Sequence, residues 1–497
     1  MKDEDDVDIM ENGMDDVEEE EEDRRVEMKI EPTMNRKQRK NVLCLLILWM
    51  CLYGLSTYHH HHHHKKINNN ENERKTEWMD ALESLLWNGS QSWWILCMCA
   101  TCSWYVWETQ LQSSNKEDDE SLLVLLYSLL EVKPHQNNNK RMYQVCLEHT
   151  LDGYLRWSLC WFWYQFITLV LQTYYFPNNN NNDDEITQTT IMIRFFVSMI
   201  PVGMSIVFVI QSMKPIFLDT YYVRMVQAPF VSVTFMDGFI ADVCTSMIWP
   251  CIHTVTSLST LFLQPLTGSS QLLVHTYILP VCRITPLWWR FAQCLRTCYD
   301  TQQRWPQLGN AFKYMMTAHI SLYYGIRSNT TEEVGGHYVW YLTWIGTTMY
   351  QLMWDIQMDW NLFSSSERKL RKKQLYSSPS WYYIILGLNT ILRFGWTWSY
   401  LPFPLLLQQR QLGRSSFLLS LLEIIRRMIW GWIRVEWELL SILESDDNDN
   451  NDSFRPMMTS STWHQHQQQQ NDFSIIMELG LWATAFTTLS IFAAMHE

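Results

Sequence analysis

At 497 residues the chain could hold one large or several small domains. Its 26 Trp, 23 Tyr, 21 Phe and 26 Met, against only 18% charged residues, exclude an ordinary soluble globule. The formal net charge of −14 comes largely from acidic runs at 3–23 and 444–452. It therefore describes a tail and a loop, and nothing in the charge pattern supports nucleic-acid binding. Long apolar segments separated by short polar runs predict an all-α, polytopic transmembrane helix bundle in a lipid bilayer.

Residues 1–41 read as a disordered cytoplasmic tail, acidic and then basic, and the start of the chain is too acidic for a cleavable signal peptide. The basic cluster at 35–40 precedes a first span at 42–58, and the positive-inside rule puts the N-terminus in the cytoplasm. The six histidines at 59–64 read as a low-complexity tract, with a tag or a metal site as alternatives. Further spans are predicted at 93–107, 154–176, 191–211, 239–263, 274–292, 311–325, 337–354, 381–401 and 416–433, for about ten in all. Residues 122–132 predict an amphipathic helix on the membrane surface.

This divides the chain into N-terminal transmembrane helices with low-complexity loops (42–211), a second transmembrane domain (212–440), a low-complexity linker (441–472) and an apolar C-terminal segment (473–497). Residues 475–494 form either an eleventh span or an interfacial helix. Ten spans place the basic loop 368–373 in the cytoplasm and the sequons Asn329-Thr330-Thr331 and Asn88-Gly89-Ser90 in the lumen. Cys97, Cys99 and Cys102 lie in an apolar run and read as packing residues rather than a metal or redox site. No nucleotide-binding loop, nucleophile–base pair or metal cluster is legible, so the expectation is no cofactor and no enzyme.

One helix is unusual. The run FLLSLLEIIRRMIWGWIRVEWE at 417–438 carries Arg426 and Arg427 at its middle, with Glu423 one turn before and Arg434 two turns after. A charge at mid-membrane costs about 2.5 kcal/mol or more, so such residues face a bundle interior or a wet cavity. Helical spacing aligns Glu423, Arg427 and Arg434, with Arg426 to the side. Other ionisable residues in or beside spans are Asp242 with Thr245 a turn on, Lys313 next to Tyr314, Asp355 and Asp359 four apart, and Arg393 near Trp396. Four cations thus face Asp242, Asp355, Asp359 and Glu423. Two readings are open: interhelical ion pairs that fix the bundle, or a route on which a mobile oxyanion competes with the carboxylates for the arginine forks.

The order of these residues resembles a known family. Arg290-Phe-Ala-Gln-Cys-Leu-Arg296, Asp300-Thr301 and Trp305-Pro-Gln-Leu-Gly-Asn310-Ala-Phe-Lys313-Tyr314 resemble the RFxQCLRRYxDT…FPHLxNAxKY pattern of EXS domains. APFVSVTFMDGFIADVCTS, WDIQMDWNLF, ILRFGWTW and LEIIRRMIWGWIRVEWE are similar to that family's other blocks, in the same order, over residues 228–438. EXS domains form the membrane part of eukaryotic phosphate exporters. The resemblance implies an inorganic phosphate pathway with Asp242, Thr245, Lys313, Tyr314, Arg393, Trp396, Arg426 and Arg427 at the phosphate-contacting positions and Asp355 and Asp359 as the paired acids. The chain departs from the family at Asn361, Gly431, Thr297, Cys298, Trp437 and Leu439. Only about 40 residues precede the first span, so the chain is similar to the shorter EXS proteins without the SPX sensor domain. For those the resemblance implies phosphate recycling from the Golgi lumen, or else a non-transporting role in retaining glycosyltransferases. The oligomeric state, a homodimer included, is left open by the sequence.

Overall fold

The computed structural model describes residues 72–111, 116–132, 141–174, 203, 207, 219–263, 278–327, 338–363, 370–395, 412–448 and 472–495. All belong to one unit, Tyr58–Glu497. They form twelve α-helices and one π-turn, and the only β pairing among the described residues is two isolated bridges. The expected all-α bundle is what is observed.

The N-terminal half holds α1 (Asn72–Gln110), α2 (Lys116–Leu129) and α3 (Met142–Tyr174). The span expected at 93–107 is the inner part of the much longer α1, and the sequon at Asn88 lies within that helix. Glu108 ties the three helices together. Its carboxylate accepts from the Tyr127 hydroxyl and from the exposed N-terminal amides of α3, Met142 N at 2.9 Å and Tyr143 N at 3.1 Å. Cys97 and Cys99 are buried while Cys102 is exposed, so the three thiols do not converge.

After α4 (Asp219–Val226), a capping box of Thr234 and Asp237 starts α5 (Phe235–Ser246). The single span expected at 239–263 is instead two helices, α5 and α6 (Ile248–Leu263), bent by 58° around Met247. Pro250 explains the break: it has no N–H for the Ser246 carbonyl one turn back, and its ring crowds that carbonyl. The segments α7 (Leu279–Thr301) and α8 (Gln307–Arg327) pack as a pair, followed by α9 (Tyr338–Trp354). A π-turn, Asp355–Asp359, prolongs α9. Then come α10 (Ser380–Arg393), α11 (Leu412–Asn448) and α12 (Asp472–Met495). The span expected at 42–58 lies outside the described residues, as do nearly all of 191–211 and the end of 381–401.

Helix α11 is central: it packs on α1, α5, α6, α10 and the π-turn. The C-terminal helix α12 lies against α7 and α8, with Phe486 buried 4.6 Å from the Phe291 ring centroid. The outer faces are apolar. On α9 the stripe Leu342, Ile345, Met349 and Met353 is exposed, and on α10 so are Tyr383, Ile384 and Ile391. Meanwhile Asp242, Arg290, Lys313, Asp355 and Arg426 are buried. Charge inside and hydrocarbon outside reverses the pattern of water-soluble helices. None of the described helices alone is long and apolar enough to cross a membrane, but the bent pair Phe235–Ser246 and Ile248–Thr256 is.

Candidate functional site

The buried charges meet where α5, α7, α8, the π-turn, α10 and α11 converge. On one side Arg290 of α7 places Nη2 3.0 Å from Asp242 Oδ2 and donates from Nε to the Tyr314 hydroxyl at 3.2 Å. The Tyr314 hydroxyl in turn donates to Asp242 Oδ1. Gln293 accepts from Arg290 Nη1 at 2.7 Å and donates to the Asp237 carbonyl at 3.1 Å, so the cap of α5 holds this triangle in register. A Cβ at position 238 would lie 3.1 Å from Arg290 Nη1, which is why Gly238 suits the crossing.

On the other side Asp355 Oδ2 takes the Arg393 Nη2 fork arm and accepts from Asn389 Nδ2 at 3.0 Å. Arg393 Nη1 donates to Gln351 at 2.7 Å, and Gln351 donates to Thr317 at 2.6 Å. Asn389 accepts from Arg426 Nη1 at 3.2 Å with its other end, and Arg426 grips Glu423 with both remaining arms, at 2.8 and 2.5 Å. Glu423 also accepts from the Ser246 hydroxyl at 2.8 Å. Each buried ion here carries further hydrogen bonds, the condition under which buried pairs are tolerated.

Three residues stay outside these pairs. Lys313 is 7% exposed, and its ammonium has no ion pair or hydrogen bond within 4.0 Å; it lies over the rings of Tyr314 at 4.7 Å and Trp354 at 5.4 Å. Arg427 donates only to hydroxyls, Ser246 Oγ at 3.0 Å and Thr245 Oγ1 at 3.1 Å, with its guanidinium over Trp430 at 4.6 Å. Asp359 accepts one hydrogen bond, from Trp430 Nε1 at 3.2 Å. Asp359 is the leading counter-charge of Lys313 although the two make no ion-pair contact, and Lys313 and Arg427 both also act electrostatically on Asp242 and Asp355.

Of the residues expected from sequence, the structure gathers Asp242, Thr245, Lys313, Tyr314, Asp355, Asp359, Arg393, Glu423, Arg426 and Arg427. Trp396 lies outside the described residues. Arg434 pairs with Glu438 at 2.9 Å and lies over Phe235, acting on Asp359 of the cluster without an ion-pair contact. Glu423 pairs with Arg426, three residues on, on the side facing Asn389 and Asp355, while Arg427, in line with Glu423, shares the Ser246 hydroxyl with it. Arg290 escaped the charge count although it stood in the quoted motif. Asn389 and Gln351 carry no charge, yet each sits four residues before a site residue, Arg393 and Asp355, and that spacing was a usable signal.

A second buried cluster lies nearby. Glu436 accepts from Arg371 and from the Tyr382 hydroxyl, and from Leu375 N at 2.8 Å. Arg371, expected on a free basic loop, is therefore held inside, while Lys372 and Lys373 remain exposed. Three departures from the family pattern find local reasons. Asn361 has φ of 40°, and asparagine is the side chain that best tolerates the left-handed region glycine occupies freely. Gly431 faces Phe239, whose ring would lie 3.1 Å from an added Cβ. Trp437 stacks on Arg371 at 5.6 Å.

Comparison with known proteins agrees with this geometry. The EXS family model matches residues 122–440, nearly two thirds of the chain. Among curated proteins the chain is 28% identical over 264 residues to the xenotropic and polytropic retrovirus receptor 1 homolog of Xenopus laevis, covering 48% of this chain and 38% of that protein. It is 29% identical over 241 residues to solute carrier family 53 member 1 of Homo sapiens, covering 44% and 34%. With the Danio rerio receptor homolog the identity is 30% over 238 residues, again covering 44% and 34%. The matched region thus spans little more than a third of the length of these relatives. By its family match and by the blocks that build its buried charge cluster, the chain belongs to the EXS family.

Proposed function

We propose that the chain passes inorganic phosphate across a bilayer, with the buried cluster as the anion's route. One observation carries this reading. Among the described residues the cluster holds five cations (Arg290, Lys313, Arg393, Arg426 and Arg427) against four carboxylates (Asp242, Asp355, Asp359 and Glu423). Of the five, Lys313 and Arg427 have no carboxylate within 4.0 Å. A bundle stabilised by ion pairs alone has no use for a buried Lys313 and a half-buried Arg427 left outside its pairs, since desolvating charge is expensive. An anion binding between them supplies the missing charge. Beside them, Tyr314 and Thr245 could turn to a tetrahedral oxyanion the hydroxyl protons they now give to the Asp242 carboxylate and carbonyl, and the Arg426 and Arg393 forks can exchange Glu423 and Asp355 for it. The apolar outer faces of α9 and α10 suit lipid, and the similarity to a solute carrier points the same way. The reading is of a transporter rather than an enzyme.

The test is uptake of radioactive phosphate into liposomes carrying the purified chain, with Lys313→Met and Arg427→Gln as paired variants. Flux in the unmodified protein that both variants lose while still folded supports the reading. No flux from folded, unmodified protein refutes it. The competing role, a scaffold that retains glycosyltransferases through the loop after Phe363, loses one candidate contact, because Arg371 is committed to Glu436 while Lys372 and Lys373 stay exposed.

A further inference from the structure

Between α1, α5 and α11 lies a cavity of about 70 Å³, open on one side, which the charge cluster borders without filling. Leu96, Trp104, Phe239, Val243, Met247 and Ile424 give it a hydrocarbon wall. Two polar groups on its lining are unsatisfied. Arg427 carries a full charge and donates only to the neutral hydroxyls of Ser246 and Thr245. Glu423 shares the Ser246 hydroxyl with it and is already held by both arms of Arg426. Trp107, 5% exposed, has an indole N–H with no acceptor.

Hydrocarbon walls repel a hydrated inorganic anion, whereas an arginine with no carboxylate in contact calls for an acceptor of negative charge. Both demands are met by a molecule with an anionic head and an apolar chain. The room is small: a cavity of about 150 Å³ holds one benzene ring, so this one takes roughly three carbons of a single chain. A phospholipid would have to bring its glycerol and a second chain beside Arg427. We propose that the cavity seats a long-chain fatty acid, its carboxylate on Arg427 and its first methylenes between α1 and α5, the rest of the chain leaving by the open side. This site shares Arg427 with the phosphate reading but does not depend on it. If that reading also holds, a bound carboxylate takes Arg427 from the route and lowers flux.

The test uses the purified full chain in detergent and a palmitate bearing a photoactivatable diazirine near its carboxylate, followed by peptide mapping. Label is expected on 96–107, 236–247 or 424–428, and unlabelled oleate should compete it away. Ala100→Trp, which fills the cavity, should cut this label about tenfold. Arg427→Gln should bring it down to the level of the matching fatty alcohol, a fall of about tenfold for one charged hydrogen bond. Should Ala100→Trp fail to fold, Val243→Phe serves as the second filler. Label elsewhere only, label that a folded filler variant keeps, or equal labelling by the alcohol overturns the site. Equal labelling by a diazirine phosphatidate overturns the fatty-acid assignment. None of these readouts uses phosphate.

Discussion

Two methionine substitutions separate a cation that holds the bundle from one that is held ready for a ligand. Arg426 is 2% exposed and bonds Glu423 twice and Asn389 once, with Asp355 3.9 Å away. Arg426→Met strips Glu423 of every partner but Ser246, and breaking a buried pair this way costs about 3–5 kcal/mol. Against a total stability of about 5–15 kcal/mol, that is enough to lose much of the folded protein. Lys313 has no such partner. Lys313→Met removes two cation–ring contacts, at 4.7 and 5.4 Å, worth about 2 kcal/mol at most when desolvated. The same change relieves the burial of an unpaired ammonium, and methionine refills the space. The two effects oppose, so stability should move by no more than about 1–2 kcal/mol. Function should move far more: a unit charge about 4 Å from an anion at an effective dielectric near 20 is worth about 4 kcal/mol, close to a thousandfold in affinity.

Thermal unfolding in detergent and phosphate flux in liposomes, measured on both variants, give the comparison. Lys313→Met should melt near the unmodified protein yet carry almost no phosphate, while Arg426→Met should melt early. Flux from Lys313→Met within about twofold of the unmodified protein would refute the route, given the energy just estimated. Equal destabilisation of the two variants would refute the distinction between paired and unpaired cations.

Other changes probe the neighbourhood. Glu436→Leu should lose about 3–5 kcal/mol and the double variant with Arg371→Leu should recover much of it, as a double-mutant cycle in thermal unfolding would show. Asn389→Leu leaves both Asp355 and Arg426 one hydrogen bond short; a loss of about 1–3 kcal/mol is expected in the same melt, with flux reduced. At position 361, glycine should be tolerated and valine should cost about 1–2 kcal/mol, since φ there is 40°. Gly309→Ala sets a methyl 2.5 Å from the Trp305 ring and 2.9 Å from that of Trp354, so a loss of about 1–3 kcal/mol is expected, and with it flux, because Trp354 also carries Lys313.

Much of this was legible in the chain, for reasons that also explain the rest. Apolar runs such as 311–325 and 337–354 fall on α8 and α9 because a helix is the economical way to satisfy backbone groups inside hydrocarbon. Charged residues stood out because they are rare in such runs. Tertiary geometry was harder. The bend at Met247 depends on which carbonyl Pro250 frees, and a largely apolar run from 239 to 263 hides it, although the proline itself was the clue. Which arginine Glu423 takes was open in the sequence, because i,i+3 and i,i+4 spacings are both allowed on a helix, and the position of Asn389 on a neighbouring helix decides between them. Arg290 was masked by company: it sits in a motif that also supplies packing residues, so the charge balance came out even when it is not.

That uneven balance has a consequence for how an anion moves. Within the cluster, cations bound to carboxylates also bond neutral groups: Arg393 has Gln351, Arg426 has Asn389, and Arg290 has Tyr314 and Gln293. An arginine that gives up its carboxylate to a passing oxyanion therefore keeps part of its hydrogen bonding, and the freed carboxylate keeps a donor of its own, Asn389 for Asp355 and Ser246 for Glu423. Exchange then avoids the full penalty of leaving a buried ion unpartnered, which truncation of either member would incur. On the proposed route, neutral amides and hydroxyls between the ions would make the pairs separable, and Lys313 and Arg427 would be where an anion waits between exchanges.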